Sequence, residues 1–282
     1  MRAAPPAGLA TASGGNSARV HELRVSSWTE LHEVLFGDSW QEKLGRHRSN
    51  YAYRGRARAE EGLETSLQRL GGDPAALEAP LVRSFRRYAR RGDVPYDSTW
   101  NWLGLAQHHG LPTRLLDWTY SPYVGLHFAT TTLERYHEDG VVWMLDYVRA
   151  HELLPTSLRD VLRVEGANVF TAEMLDQVAR RRRDLDDLAE DDDFVLFLEP
   201  PSLDDRIVNQ YALFSLMSSP EASLDDWAAR HADLVRKMIV PAELKWEVRD
   251  KLDQANVTER VLFPGLDGLS RWLRRYYLPR PR

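Results

Sequence analysis

Gln107-His108-His109-Gly110-Leu111-Pro112-Thr113-Arg114-Leu115-Leu116-Asp117-Trp118-Thr119-Tyr120-Ser121-Pro122 is the stretch on which the reading of this chain turns. Ionisable and hydrogen-bonding side chains alternate there with apolar anchors, and Gly110, Pro112 and Pro122 prevent any single regular element from running through it. Gly110 caps a helix arriving from Asp97 through His109, with Trp100, Leu103 and Leu105 among its apolar positions. Leu115 and Leu116 then form a short extended piece, and Ser121-Pro122 opens a helix to about Glu134. Helix, strand and helix follow within a few residues, with polar groups concentrated at the joints. That mixture suits the wall of a concave site; a buried polar network joining a helix end to a strand is its structural alternative.

Upstream, Tyr51-Ala52-Tyr53-Arg54-Gly55-Arg56 alternates as a strand does, both tyrosines on one face and Arg54 and Arg56 on the other. Val20 to Val25 is a short strand, Ser27 with Glu30 a capping-box start for a helix to about Phe36, and Pro74 to Arg91 an amphipathic helix stopped by Gly92. Downstream, the Asp139-Gly140 turn leads into a buried strand, Val141 to Leu145. Ala167 to about Leu188 reads as a helix, Phe194 to Leu198 as a strand ended by Pro200-Pro201, and Arg206 to Ser215 as a lead into another apolar strand. Leu234 to Val240 is a further strand and Ala242 to Ala255 a helix, while Thr258 caps a last helix through Tyr277. Helices and strands do not alternate regularly and no repeat is visible, which favours an α+β fold with a split or antiparallel sheet over a doubly wound one.

The 282 residues are enough to bury a substantial core. With a net charge of -5, the protein is not one that coats nucleic acid through bulk charge. Local charge differs: between Arg46 and Gly92 stand eleven Arg and no Lys against five acids. Guanidinium forks suit phosphate oxygens, although only four Lys occur in the whole chain, so part of this preference is compositional. The absence of cysteine excludes disulfides, thiol nucleophiles and Cys-based zinc sites. Residues 1–19, rich in Ala, Gly, Pro and Ser, read as a flexible tail without a signal-peptide core, and 20–282 as one domain. No apolar run reaches membrane-span length, and the expectation is a cytoplasmic protein without a membrane partner.

Arg54 beside Gly55 ends an extended segment where a ligand can approach the backbone and a phosphate or carboxylate can meet the fork. An Arg pairing a nearby acid is the simpler use of the same residues. His108 and His109 point about 100° apart on a helix and cannot chelate one ion together, so no metal is expected. Arg114 and Asp117 either pair with each other or divide the work, Arg114 on a phosphate and Asp117 on a His or ribose hydroxyl. Gln210, entering an apolar strand after Arg206, needs hydrogen-bond partners from the core or from a ligand.

Tyr53-Arg54-Gly55, the Gln107–Pro122 segment, Arg206-Ile207-x-x-Gln210-x-x-x-Phe214 and Phe263-Pro264-Gly265-Leu266-Asp267-Gly268-Leu269 together resemble the FRG-domain family, in order from Tyr53 to Leu269. Tyr53 replaces the Phe of the family's letters, and Ala212 stands where the family often has Gly. The resemblance implies an ADP-ribosyltransferase-like fold, a split, largely antiparallel sheet surrounded by helices, with core motifs over 51–145 and 194–270. It implies a bacterial toxin or anti-phage defence enzyme that uses NAD as co-substrate, without metal, to modify a base in DNA. RNA is a possible alternative substrate, and a cognate antitoxin or ADP-ribosyl hydrolase a possible partner. In that frame Asp117, Gln210 and Glu199 compete for the ribose cation. Arg54, Gly55, His109, Gly110, Thr113 and Arg114 are candidates for NAD, and Tyr53, Arg56, Arg206 and Gln107 for the substrate. No Gln-x-Glu or Glu-x-Glu pair, usual in related transferases, is present. A non-catalytic nucleotide- or nucleic-acid-binding module, or a transferase acting on protein, would use the same arginines.

Overall fold

The alternation in Tyr51–Arg56 becomes the central strand of a seven-stranded sheet. The computed structural model describes residues 20–189, 192–201 and 204–279; the expected tail at 1–19 lies outside them. Its strands are β1 (His21–Arg24), β2 (Trp40–Gln41), β3 (Arg46–His47), β4 (Tyr51–Arg56), β5 (Leu116–Thr119), β6 (Gly140–Asp146), β7 (Val195–Leu198), β8 (Ala212–Met217) and β9 (Val235–Val240). β2 and β3 form a small separate ribbon, and the main sheet runs β1-β9-β6-β4-β5-β8-β7. Every pairing in it is antiparallel except β1 with β9. The expected α+β class with a largely antiparallel sheet is therefore present.

One face of the sheet carries a core continuous across both halves, from Val141, Trp143 and Leu145 through Leu116 and Trp118 to Leu213 and Phe197. The opposite face carries two cores. Tyr51, Tyr53, Val142 and Met144 pack under the helices Trp28–Phe36, Pro122–Ala129 and Lys245–Gln254. Phe214, Leu216, Leu196 and Leu198 pack under Thr99–His108, Thr156–Glu165 and Ala172–Val178. The division falls at β4 and β5. Six residue pairs join β4 to β6, whereas Tyr53–Thr119 alone joins β4 to β5. The sheet is continuous but pinched at its middle.

Several element bounds differ from the expected ones for identifiable reasons. The helix from Pro122 stops at Ala129, not near Glu134, because the Thr130 and Thr131 hydroxyls turn back onto the Leu126 and His127 carbonyls. The expected helix 167–188 is two short ones, Ala172–Val178 and Arg182–Asp186, since Phe170 bridges to Leu198 at the sheet edge. Arg206 lies in a short helix, Asp205–Asn209, instead of an extended lead. The last helix is also divided: Thr258 starts Glu259–Leu262, Pro264 and Gly265 interrupt, and Leu266–Tyr276 follows. No helix among the described residues is long and apolar enough to cross a membrane.

Candidate functional site

Alternate residues of a strand turn their backbone groups to the same neighbour. Thr119 pairs with Tyr53 of β4, so Asp117, two residues earlier, turns its carbonyl toward β4 where the strands have already parted. Arg54 fills that gap, and its Nη1 donates to the Asp117 carbonyl at 2.6 Å. The parted strands open a cleft of about 330 Å³. Gln107 and Gly110 at the end of the helix Thr99–His108 form one side and Phe128 of Pro122–Ala129 another, with Ser66, Arg69, Arg206, Gln210 and Ala212 completing the wall.

Arg54, 8% exposed, is the most enclosed cation in the cleft. Burial pushes its guanidinium down to about 10, against the pull of Asp117, and it stays protonated at neutral pH. Its Nε is buried without a partner among the described residues, as is the Nε of Arg206, whose guanidinium lies 5.2 Å from the Phe263 ring centre. Arg56 leans on Glu61 at 3.2 Å and Arg69 donates to the Glu64 carbonyl at 2.6 Å.

Opposite these cations, the Asp117 carboxylate is fixed by an amide relay. Gln107 Nε2 donates to Asp117 Oδ2 at 2.9 Å, and Gln107 Oε1 accepts from the Thr113 hydroxyl at 2.6 Å. The same hydroxyl accepts from the Leu115 amide at 3.1 Å. Gly110, at φ +79°, reverses the chain between Gln107 and Thr113 so that the relay can close, and the amide of Leu111 returns to the Ala106 carbonyl as in a glycine helix stop. Gln210 reaches the cleft from the end of Asp205–Asn209; its Nε2 donates to the Leu262 carbonyl at 2.8 Å. Tyr211 takes the left-handed turn into β8 at φ 48°, so Ala212 is already in the strand.

The structure brings together Arg54, Gly55, Arg56, Gln107, Gly110, Asp117, Arg206 and Gln210. Other expected site residues have different duties. Arg114 is buried on the far side of its loop, bidentate to Glu78 at 2.7 and 2.6 Å and bonded to Asp186 at 2.7 Å; it neither pairs with Asp117 nor lines the cleft. Thr113 is fully buried, and its hydroxyl serves the relay and does not line the cleft. His109 faces a separate groove beside Phe85, while His108 bonds Asp204 at 2.8 Å. Glu199 is outside the cleft, accepting from the Tyr120 hydroxyl at 2.9 Å. Tyr53 borders the cleft, but its ring is in the core and its hydroxyl meets Ser49 and the Leu35 carbonyl. Gly55 also has a packing duty: a Cβ there would collide with the Gly125 carbonyl and stand 2.6 Å from the Ala129 amide nitrogen. Ser66 and Arg69 escaped the sequence reading. Ser66 joins the cleft because its hydroxyl accepts from the Thr113 amide at 3.1 Å, a pairing with no signal in the local pattern.

Among the described residues no three His, Asp or Glu side chains gather to hold a metal ion. No curated protein matches this chain, and no solved structure matches it. The FRG-domain family model matches residues 49–140, from just before β4 to the first residue of β6, and so supports placing this stretch, which supplies Arg54, Gln107 and Asp117, in the FRG-domain family.

Proposed function

We propose that this protein is an NAD-dependent ADP-ribosyltransferase that modifies an exocyclic amine of a nucleobase in single-stranded or flipped DNA. One observation carries the reading: in a cleft lined by four arginines, the lining carboxylate is Asp117, held in place by the Gln107–Thr113 relay. The pinched junction of β4 and β5 supports the split-sheet architecture that goes with this activity.

The residues present suit a dinucleotide. Arg54 and Arg206 line the cleft and have no carboxylate partner among the described residues, as guanidiniums meant for pyrophosphate oxygens would. NAD would supply the ADP-ribosyl group, its bond to nicotinamide breaking with the electron pair leaving on nicotinamide. Asp117 has the charge to stabilise a developing ribose cation and to take the proton lost by the attacking amine. Gln210, whose amide nitrogen is committed to Leu262, presents its carbonyl oxygen as an acceptor for a sugar hydroxyl. A toxin or anti-phage defence role would follow from such damage to DNA.

Intact-mass measurement after incubation with NAD and short single-stranded DNA, RNA or a protein mixture tests the proposal. The expected result is an ADP-ribose addition on single-stranded DNA, slowed by a factor of about 10²–10³ in Asp117→Asn, whose melting temperature should stay near that of the wild type. Wild-type protein that adds no ADP-ribose to any of these substrates overturns the reading.

A further inference from the structure

Within the arginine-rich stretch between Arg46 and Gly92, three arginines are already neutralised by acids. Arg56 pairs with Glu61, Arg58 with Glu60 and Glu138, and Arg86 with Asp97. A differently composed surface begins at the other end of the cleft. Phe128, a cleft residue, meets the Phe263 ring edge-on at 6.2 Å. Over that Phe263 ring lie two guanidiniums, Arg206 from the cleft and Arg271 from the last helix, 5.2 and 4.9 Å from its centre. Arg260 lies 4.6 Å from the Trp272 ring centre, and Trp272 packs on Tyr276 at 5.0 Å. The outer end is open: Tyr276 is 59% exposed, and Arg260 and Arg271 are exposed as well.

Asp253 and Glu259, the acids packed inside this module, are already satisfied. Arg275, buried, binds both Asp253 and Glu259, and Arg249 stands 3.1 Å from Glu259. Arg206, Arg260 and Arg271 have no carboxylate partner among the described residues, and Asp267 is the exposed acid of the last helix. A guanidinium resting on an aromatic ring keeps its plane fixed while its outer face and N–H edge remain available. Bases stack on such planes and phosphates meet such edges.

We propose that the surface formed by Phe263, Arg260, Arg271, Trp272 and Tyr276 is a track for single-stranded nucleic acid leading into the cleft at Arg206. This names the route of the acceptor and rests on the proposed transfer to a nucleobase, but it is tested by binding alone, without NAD. Fluorescence anisotropy of a labelled single-stranded deoxyoligonucleotide, titrated with the full chain at several salt concentrations, reads it directly. Arg260→Gln/Arg271→Gln should weaken binding by about tenfold or more. It should also flatten the slope of log affinity against log salt by about 1.4, roughly 0.7 for each phosphate no longer neutralised. Tyr276→Ala should weaken binding with the slope unchanged, since it removes stacking and no charge. Arg180→Gln/Arg183→Gln, an equal charge change on exposed residues elsewhere, should leave affinity as it was.

Equal losses from the two arginine pairs would mean diffuse attraction and overturn the track; so would no loss from either. The apolar stripe Leu266, Leu269 and Leu273 on the same helix offers the competing occupant, a second copy of the chain. If sedimentation shows a dimer that Leu269→Asp/Leu273→Asp dissolves, and the Arg260/Arg271 pair does not affect oligonucleotide binding, the face belongs to that copy and the track is wrong. Site-specific oligonucleotide binding without any ADP-ribose addition would sink the transferase reading and leave the track standing.

Discussion

Arg54 and Arg114 are both buried arginines close to Asp117 in the fold or the sequence, yet they answer to different constraints. Arg114 has its fork filled by Glu78 and its remaining edge by Asp186, so its positive charge is consumed inside the protein. Arg114→Ala leaves the Glu78 carboxylate, itself 3% exposed, with Arg182 at 3.2 Å as its remaining ion-pair partner, and should cost toward the lower end of the roughly 3–5 kcal/mol of a broken buried pair, read as a lower denaturation midpoint. Arg54 makes one bond, to a backbone carbonyl, and lines the cleft without a carboxylate partner among the described residues. Arg54→Ala should therefore fold, and should forgo a charge-assisted hydrogen bond of roughly 1.5–3 kcal/mol, weakening NAD binding by about one to two decades in calorimetry. Unchanged NAD affinity in folded Arg54→Ala protein would remove Arg54 from the site. Gln107 and Thr113 stand between these cases: Gln107 lines the cleft and Thr113 does not, and together they aim Asp117.

The element that most constrains the site is the helix Pro122–Ala129 lying on β4. Gly55 permits its approach, and Gly55→Ala should destabilise the protein at or above the upper end of the roughly 1–3 kcal/mol typical of overpacking, because backbone on the facing helix cannot move aside as a side chain can. Chemical denaturation of the variant checks this, and wild-type stability would show that helix and strand can separate. The local rules that made β4, the Gly110 helix stop and the Ser121-Pro122 helix start legible depend on neighbours in sequence, and they appear where expected. The relay was visible as composition but not as geometry, since Gln107, Thr113 and Asp117 meet only after the turn at Gly110 folds them together. Arg114, Glu199 and His109 were misplaced for the complementary reason. Nothing local announces that Glu78, 36 residues earlier, claims Arg114, or that Tyr120 claims Glu199. Phe170, likewise, left its helical pattern for a bridge to Leu198 that only the assembled sheet supplies.

At the scale of the molecule, several buried groups set the response to acid. Burial, with the charge of Arg249 beside it, holds His127 down to about 3. Burial holds His151 down to about 4; its Nε2 accepts from the Phe197 amide, which only the neutral ring can do. Glu259 is held at about 2: burial alone would raise it, but the Arg275 hydrogen bond and the Arg249 charge outweigh that. The unfolded chain takes up protons at both imidazoles below about pH 6.5 and at the carboxyl below about 4.3, while the folded protein resists until about 4, 3 and 2. Stability is thus fully present above about pH 6.5 and is lost progressively as pH falls toward 3. Melting temperatures between pH 8 and 3 should show that decline; a flat profile would mean the imidazoles are not buried neutral. The pinch between β4 and β5 has a mechanical side. The shared core on one sheet face acts as the spine of a book, and the two cores on the other face are its covers, fastened at Tyr53–Thr119. A molecule seated in the cleft would bind the covers together, so amide protons beside that fastening should exchange more slowly with solvent deuterium when NAD is added, making the hinge its own reporter of occupancy.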